Sequence, residues 1–448
     1  MPLTHDLGRF VAAHSFERLP QEAVEIARTG FIDTIATMIA GAQDDAPQIL
    51  KKALAPARGD ATLYFTGESA TAPEAAWING TAGHALDYDD VGCRGHLSTV
   101  LVPAVLAEAE TLNLSGAAML AAYVAGYETW AELARRDPGH HHRKGWHPTG
   151  IFGAVGAGAA CAALRRLDAA RATAAIALSA SQAGGIMANF GTMTKPFHAG
   201  RAAHAGVVSA RLAELGFTAS PDALEHPQGF LSAVSPEGRA DRDSATPALG
   251  EDWHIVKTGL SIKKYPACYC THRALDAMLE LLGRHPLKPA DIKSITVEIS
   301  DTHALILRNQ APQTGLEAKF SMQFAMAAAV ISRRASLGEY TDAFVKRPEV
   351  QELMRRVTVA TNQNYDPEAV GASVHDVVRV ELADGSRLES DKVRRARGHA
   401  ERPLSEADLF EKFRTCLDAG HARISPEALF DRLRNLEKIS ARDLTRVG

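Results

Sequence analysis

A chain of 448 residues is too long for one ordinary core and points to roughly two or three domains, and its 46% hydrophobic and 23% charged content is that of a globular protein. A net charge of -4 gives no basis for nucleic acid or an anionic membrane as partner. Five cysteines spread along the chain make no disulfide framework, so a reducing, cytoplasmic setting is expected.

The first residues hold no basic segment followed by an apolar core, so no secretory signal is expected. From Leu19 a helix is predicted, with Pro20 in its first turn, Val24, Ala27, Phe31, Ile35 and Met38 at spacings of three and four, and Gly41 as its stop. Thr71 and Glu74 have capping-box spacing, and Trp77, Ile78, Ala82 and Ala85 follow at helical intervals. This helix leads into Asp87, Asp89 and Asp90 and then, past Gly92 and Gly95, into His96. With Asp87 in the last turn, the negative end of the helix dipole and two neighbouring carboxylates would raise its pKa, and a carboxyl so raised donates a proton near neutrality. A solvated acidic turn and a hard-cation site are the alternatives, and chelation tests the second.

Ser115 to about Leu133 reads as another helix, and no strand pattern precedes residue 255. His140, His141 and His142 are adjacent in a Pro-Gly-flanked loop, an arrangement that rarely converges on one metal ion. His147 precedes Pro148 at the start of the next helix, where an imidazole beside free backbone N–H groups can help bind an anion. Gly150, Gly153, Gly156 and Gly158 follow no strand and fall in the wrong order for a dinucleotide fingerprint, so they signal close helix packing. Ile151 to Leu164 is too short to span a bilayer and reads as a buried helix. Ala169 to Ala188 continues the helical pattern. Lys195, before Pro196, is expected in an extended loop, with a helix from about Ala199 to Glu214 stopped by Gly216. Lys195, His198 and Arg201 would then surround a helix N-terminus and suit carboxylates, the alternative being a solvated basic turn.

Residues 236–252 read as a linker. Lys263, Lys264, Tyr265, Cys268, Cys270 and His272 come next. A zinc half-site there lacks a second pair of ligands, and an iron–sulfur cluster lacks cysteines. His272 opens a helix from Arg273 to Leu282. Strands are predicted at Ile292 to Ile299, Val357 to Thr361, Val377 to Leu382 and Ser386 to Leu388, the last two joined by an Asp384-Gly385 turn. Helices at Phe320 to Arg333 and Pro348 to Arg355 lie between them. From Leu404 the chain returns to helix, with Ser405 as N-cap and Leu409, Phe410 and Phe413 as its apolar stripe. The fold class is mainly α, with a helical domain from residues 1–262 and 399–448 and a smaller α/β unit at 263–398. There is no internal repeat.

Taken together and in this order, Phe31 to Ala36, Gly83 to Asp90, Trp146 to Gly150, Thr194 to Ala203, Lys263 to Cys268 with His272, and Ala318 to Phe324 resemble the MmgE/PrpD family over nearly the whole chain. The resemblance implies a helical domain built from both chain ends, an α/β lid from the middle, a homodimer, and an interdomain site for a small polycarboxylate with no metal or organic cofactor. In the family's decarboxylase, pocket residues match Asp87, His96, His147, Lys195 and Lys263. Cys268 stands where that enzyme has a histidine, as in many non-decarboxylating relatives. Val91 replaces a threonine, and Leu97 a proline.

Family chemistry handles charge at a carbon next to a carboxylate. Lys195, Lys263 and Lys264 would cradle the substrate's carboxylates, with Cys268, His272, His198 and Arg201 as further binding residues. His147 or His96 would take the α-proton, and Asp87, with Tyr265 second, would protonate a departing hydroxyl. A hydro-lyase of the 2-methylcitrate dehydratase type is the leading expectation, then an iminodisuccinate-type epimerase, then a cis-aconitate-type decarboxylase. The joint presence of Asp87, His96, His147, Lys195 and Lys263 argues against a non-catalytic binding protein, and the lack of a strand-first glycine motif against an NAD-linked enzyme.

Overall fold

The structure, a computed structural model, describes residues 3–246 and 248–446 and is mainly α-helical with two small sheets. It divides into two compact units, Met1–Ser261 with Ser405–Gly448, and Ile262–Leu404.

The first unit opens with α1 (Leu3–Ala13), α2 (Gln21–Gly41) and α3 (Asp45–Leu54). Pro20 is the N-cap of α2, since a proline lacks an N–H that the helix would leave unpaired anyway. Contrary to expectation, two short strands precede residue 255: β1 (Ala61–Leu63) and β2 (Glu68–Ala70) pair antiparallel. Three residues each are too few for an alternating pattern to stand out. Next come α4 (Ala72–Ala85), α5 (Ser98–Leu112), α6 (Gly116–Arg136), α7 (Pro148–Leu164), α8 (Ala169–Ala180) and α9 (Thr194–Glu214).

Three boundaries depart from the sequence reading. Thr71 caps α4, but its hydroxyl bonds the Glu74 side chain at 2.7 Å and not a backbone N–H, so the reciprocal capping box does not form. α8 stops at Ala180, well short of Ala188. α9 begins at Thr194, so Lys195 lies inside the helix and not in a loop. Pro196 sits in the first turn, where its missing N–H breaks no hydrogen bond and its ring meets no preceding turn.

Helix α9 packs against α4, α7 and α8, and small residues let the backbones approach. A Cβ on Gly200 would lie 2.1 Å from the Trp77 carbonyl oxygen, and one on Gly206 would lie 2.4 Å from the Ala157 carbonyl carbon. The glycines of α7 serve the same purpose: a Cβ on Gly158 would lie 1.9 Å from the Ser179 hydroxyl. Residues 236–252 form no helix or strand where described.

In the second unit α10 (His272–Arg284) and α11 (Met322–Ser332) pack together and meet one four-stranded sheet. Its strands β3 (Ile292–Ser300), β4 (Val357–Asn362), β5 (Val377–Leu382) and β6 (Arg387–Glu389) run in the order β4-β3-β5-β6. β3 and β4 are parallel, with Ile295 opposite Val357, while β3–β5 and β5–β6 are antiparallel. Ile292, Ile295, Val297 and Ile299 turn into the core. Gly385, at φ 85°, makes the turn between β5 and β6 that Asp384-Gly385 predicts. α12 (Pro348–Met354) leads into β4.

The chain then enters α13 (Glu406–Ala419), capped by the Ser405 hydroxyl, followed by α14 (Pro426–Arg434). α13 packs on α2. Its Lys412, itself buried, reaches the Asp33 carboxylate at 2.5 Å and donates to the Tyr88 carbonyl at 2.7 Å.

Candidate active site

The three aspartates that follow α4 have separate fates. Helix α4 ends at Ala85 with Leu86 as C-cap, so Asp87 lies just beyond it, at φ 50°, a left-handed conformation that aspartate tolerates better than most residues. Its Oδ1 accepts from Lys195 Nζ at 2.8 Å, with both side chains buried. The residue expected as an acid at a helix end is thus ion-paired with an ammonium.

Asp89 is fully buried. Its Oδ1 lies 2.9 Å from His84 Nδ1, and its Oδ2 lies 3.0 Å from His96 Nδ1. Burial works to raise its pKa, but the two imidazoles outweigh it and hold the carboxyl well below the usual range. Asp90 goes the other way. Burial and then the Asp33 carboxylate push its pKa well above the ordinary value, and only Ser98 opposes them through its backbone N–H, 3.3 Å from Oδ1, and its side chain. The raised carboxyl of this turn is therefore Asp90.

His96 is held from both sides of the chain. The loop before it is tied by Gly92 and Gly95, whose backbones bond each other, and by Trp130 Nε1 donating to the Cys93 carbonyl at 3.1 Å. Its own backbone N–H donates to Thr149 Oγ1 at 3.1 Å, and its Nε2 lies 3.8 Å from Asp87 Oδ1. His147 is the N-cap of α7, with Pro148 at the first helical position. Its Nδ1 meets His198 Nδ1 at 3.1 Å, and its backbone N–H donates to the Gly185 carbonyl at 3.0 Å.

The rings form one cluster. His84 lies 4.3 Å from His96 and 5.9 Å from His147, centroid to centroid, while Phe190 is 4.8 Å from His147 and carries Lys195 Nζ 5.5 Å from its centroid. Burial first, and then the Lys195 charge, drive the His147 pKa well below its ordinary value. Burial, opposed by Asp89, lowers that of His84 to about 3. Both imidazoles are therefore neutral at physiological pH, as a proton acceptor must be.

His84, Asp87, Asp89 and His96 each bring one ligand-type atom within 4.8 Å of the others, the makings of a cation site among the described residues. Lys195 already places an ammonium on Asp87, and the two Nδ1 atoms meet both Asp89 oxygens. A divalent cation there would have to displace the Lys195 ammonium from Asp87 and the imidazoles from Asp89.

The MmgE/PrpD N-terminal domain matches residues 5–243 and the MmgE/PrpD C-terminal domain residues 265–429. The chain belongs to the MmgE/PrpD family. Its curated relatives include cis-aconitate decarboxylase of Homo sapiens, 29% identical over 382 residues, which are 82% of this chain and 76% of that one. The mouse enzyme of the same name is 28% identical over 380 residues, with the same coverage. Cis-aconitate decarboxylase of Aspergillus terreus is 24% identical over 439 residues, 92% of this chain and 89% of that one.

Within the MmgE/PrpD C-terminal match, several expected site residues are taken up by their own unit. The Tyr265 hydroxyl donates to Asp276 Oδ1 at 2.6 Å and accepts from Arg397 Nη2 at 2.9 Å, and burial and then Asp276 push its pKa well above normal. His272 is fully buried, with its Nε2 3.2 Å from the Ala267 carbonyl oxygen and its ring against Tyr265 and Tyr269. Lys263 and Cys268 are buried, and Lys264 is half-buried. Arg201, one turn of α9 beyond Phe197, is committed to His204 Nδ1 at 2.6 Å and to the face of Trp77, and so is not drawn into the histidine cluster by any of these contacts. The sequence reading passed over His84, Asp89 as an imidazole partner, and Phe190. His84 lies at the end of the helix that leads into Asp87, but only the turn that follows shows what it faces.

Proposed function

We propose that this protein is a lyase that moves a proton at the carbon next to a carboxylate in a small di- or tricarboxylic acid, with loss of water as the leading reaction. The carrying observation is the buried Lys195–Asp87 pair with His96 Nε2 at 3.8 Å and neutral His147 beside it. Lys195 binds a substrate carboxylate and offsets the charge that builds up when the α-proton leaves. His147 takes that proton. The Lys195 ammonium, ion-paired with Asp87, also has a hydrogen to give a departing hydroxyl. Lys263 and Lys264 remain substrate-carboxylate ligands on family resemblance, and the hydrogen bonds of Tyr265 to Asp276 and Arg397 favour a role in the fold of its own unit.

Decarboxylation is the second reading, favoured by the names of the relatives. The same ammonium would stabilise the carbanion left by carbon dioxide, and an imidazole would then protonate it. Cys268 and Val91, where the decarboxylase has histidine and threonine, favour dehydration.

Proton NMR in heavy water with citrate, 2-methylcitrate, cis-aconitate, malate and iminodisuccinate, each with an EDTA-treated control, separates the outcomes. Deuterium entering an α-position with loss of water supports the proposal. Loss of carbon dioxide from cis-aconitate selects the second reading, inversion without elimination indicates an epimerase, and sensitivity to EDTA revives the cation site.

A further inference from the structure

His147 and His198 face each other through like atoms. Their Nδ1 atoms are 3.1 Å apart in hydrogen-bonding geometry, the rings are tilted by 59°, and both side chains are buried. An imidazole nitrogen either carries a hydrogen or offers a lone pair, so a bond between two Nδ1 atoms needs one of each. A neutral imidazole carries a single N–H, so the tautomer of one ring dictates that of the other. The backbone fixes the pair. His147 is tied through its N–H to the Gly185 carbonyl, and Gly185 has room for the His198 ring only because it lacks a Cβ, which would lie 3.0 Å from His198 Cγ.

We propose that His198 is a positioning residue and proton relay for His147, the single hydrogen between their Nδ1 atoms deciding whether His147 Nε2 accepts a proton or donates one. This rests on the reading of His147 as the group that meets the α-proton. Before reaction His147 carries its hydrogen on Nδ1 and has a lone pair on Nε2, while His198 carries its hydrogen on Nε2. When His147 Nε2 takes the substrate proton, its Nδ1 hydrogen crosses to His198 Nδ1 and the His198 Nε2 hydrogen leaves to solvent. One proton enters, one departs, and both rings end neutral in swapped tautomers.

Neutrality matters because the surroundings oppose an imidazolium at either ring. Burial first, with Lys195 near His147 and with His84 and Lys195 near His198, lowers both pKa values, that of His198 to about 4. A relay removes the charge that a lone base would accumulate. Its direction follows exposure, since His198 is 7% exposed and His147 2%.

The test is nitrogen-15 NMR of the full chain labelled at histidine, with turnover measured alongside. The expected spectrum shows one Nδ1 of the protonated type and one of the lone-pair type, coupled to each other through the hydrogen bond. The coupling should vanish in His198→Phe with the circular dichroism unchanged. His198→Asn, whose side-chain oxygen can accept from His147 but cannot pass a proton on, should keep His147 protonated at Nδ1 and lower kcat on the order of 10²-fold with KM little changed. Two Nδ1 atoms of the same type, no coupling, or full kcat in His198→Asn would overturn the proposal. A coupled pair in a protein that exchanges no acid would uphold the tautomer lock and remove the functional reading instead.

Discussion

Among the side chains of the site, burial decides what each titratable group can do. Lys195 and Asp87 are tolerable inside the protein as a pair, and removing one partner leaves an uncompensated charge. Lys195→Met should therefore reduce turnover by about 10²- to 10³-fold and also destabilise the fold by about 3–5 kcal/mol. The double variant Lys195→Met/Asp87→Asn should regain much of the stability in a urea titration while staying inactive. Recovery of activity would mean that the ammonium serves only the fold. His147 gives a pH test. Its pKa lies well below 6.5, so the neutral base persists as pH falls. The kcat/KM profile should show no acid limb near 6.5 from this residue, and an inflection there that disappears in His147→Asn would contradict its placement.

At the level of helices, α9 carries Lys195 and His198 on a segment locked against α4 and α7 by residues without side-chain bulk. The Cβ of Gly200→Ala would collide with the Trp77 backbone, which cannot rotate away. A cost of about 1–3 kcal/mol is expected, seen as a lowered thermal midpoint, together with loss of activity as α9 shifts relative to Asp87. An unchanged midpoint would show that α4 and α9 separate freely. The start of α9 also shows why a rule about proline misplaced Lys195. The residue before proline is disfavoured in helical conformation, but in the first turn the proline costs no intrahelical hydrogen bond and meets no preceding turn, so the helix still starts at Thr194.

At the scale of the whole molecule, Glu110 is expected to make stability depend on pH. This carboxylate on α5 accepts from the Thr62 backbone N–H at 2.8 Å and the Thr445 hydroxyl at 2.6 Å, and so ties β1 and the C-terminal residues to one helix. Burial, opposed by Thr445, Thr62 and Arg442, raises its pKa from 4.5 to about 7. A carboxyl raised on folding contributes stability that is complete below pH 4.5 and is lost as pH rises through about 7. The expected change is on the order of 3 kcal/mol. Urea midpoints measured across that interval should fall with pH in the wild type and be flatter in Glu110→Gln. Parallel slopes would show that Glu110 is not the group responsible.

Much was legible in the residues before any coordinates. The strand at Ile292 alternates from Ile295 to Ile299, the Asp384-Gly385 turn needs a positive φ that glycine supplies, and Ser405 caps its helix, all local signals set by backbone sterics and hydrogen bonding. Asp87, His96, His147 and Lys195 could be singled out because reactive residue types stand in turns and at helix ends. What each of them touches could not be read, because those partners come from distant parts of the chain. Lys195 lies 108 positions from Asp87, and His198 lies 51 from His147. The three neighbouring aspartates show the difference. By sequence they are one acidic turn, yet an ammonium claims Asp87, two imidazoles claim Asp89, and burial beside Asp33 pushes the Asp90 pKa well above its ordinary value. A group's charge state follows from its desolvation and its nearest charges, and only tertiary packing supplies both.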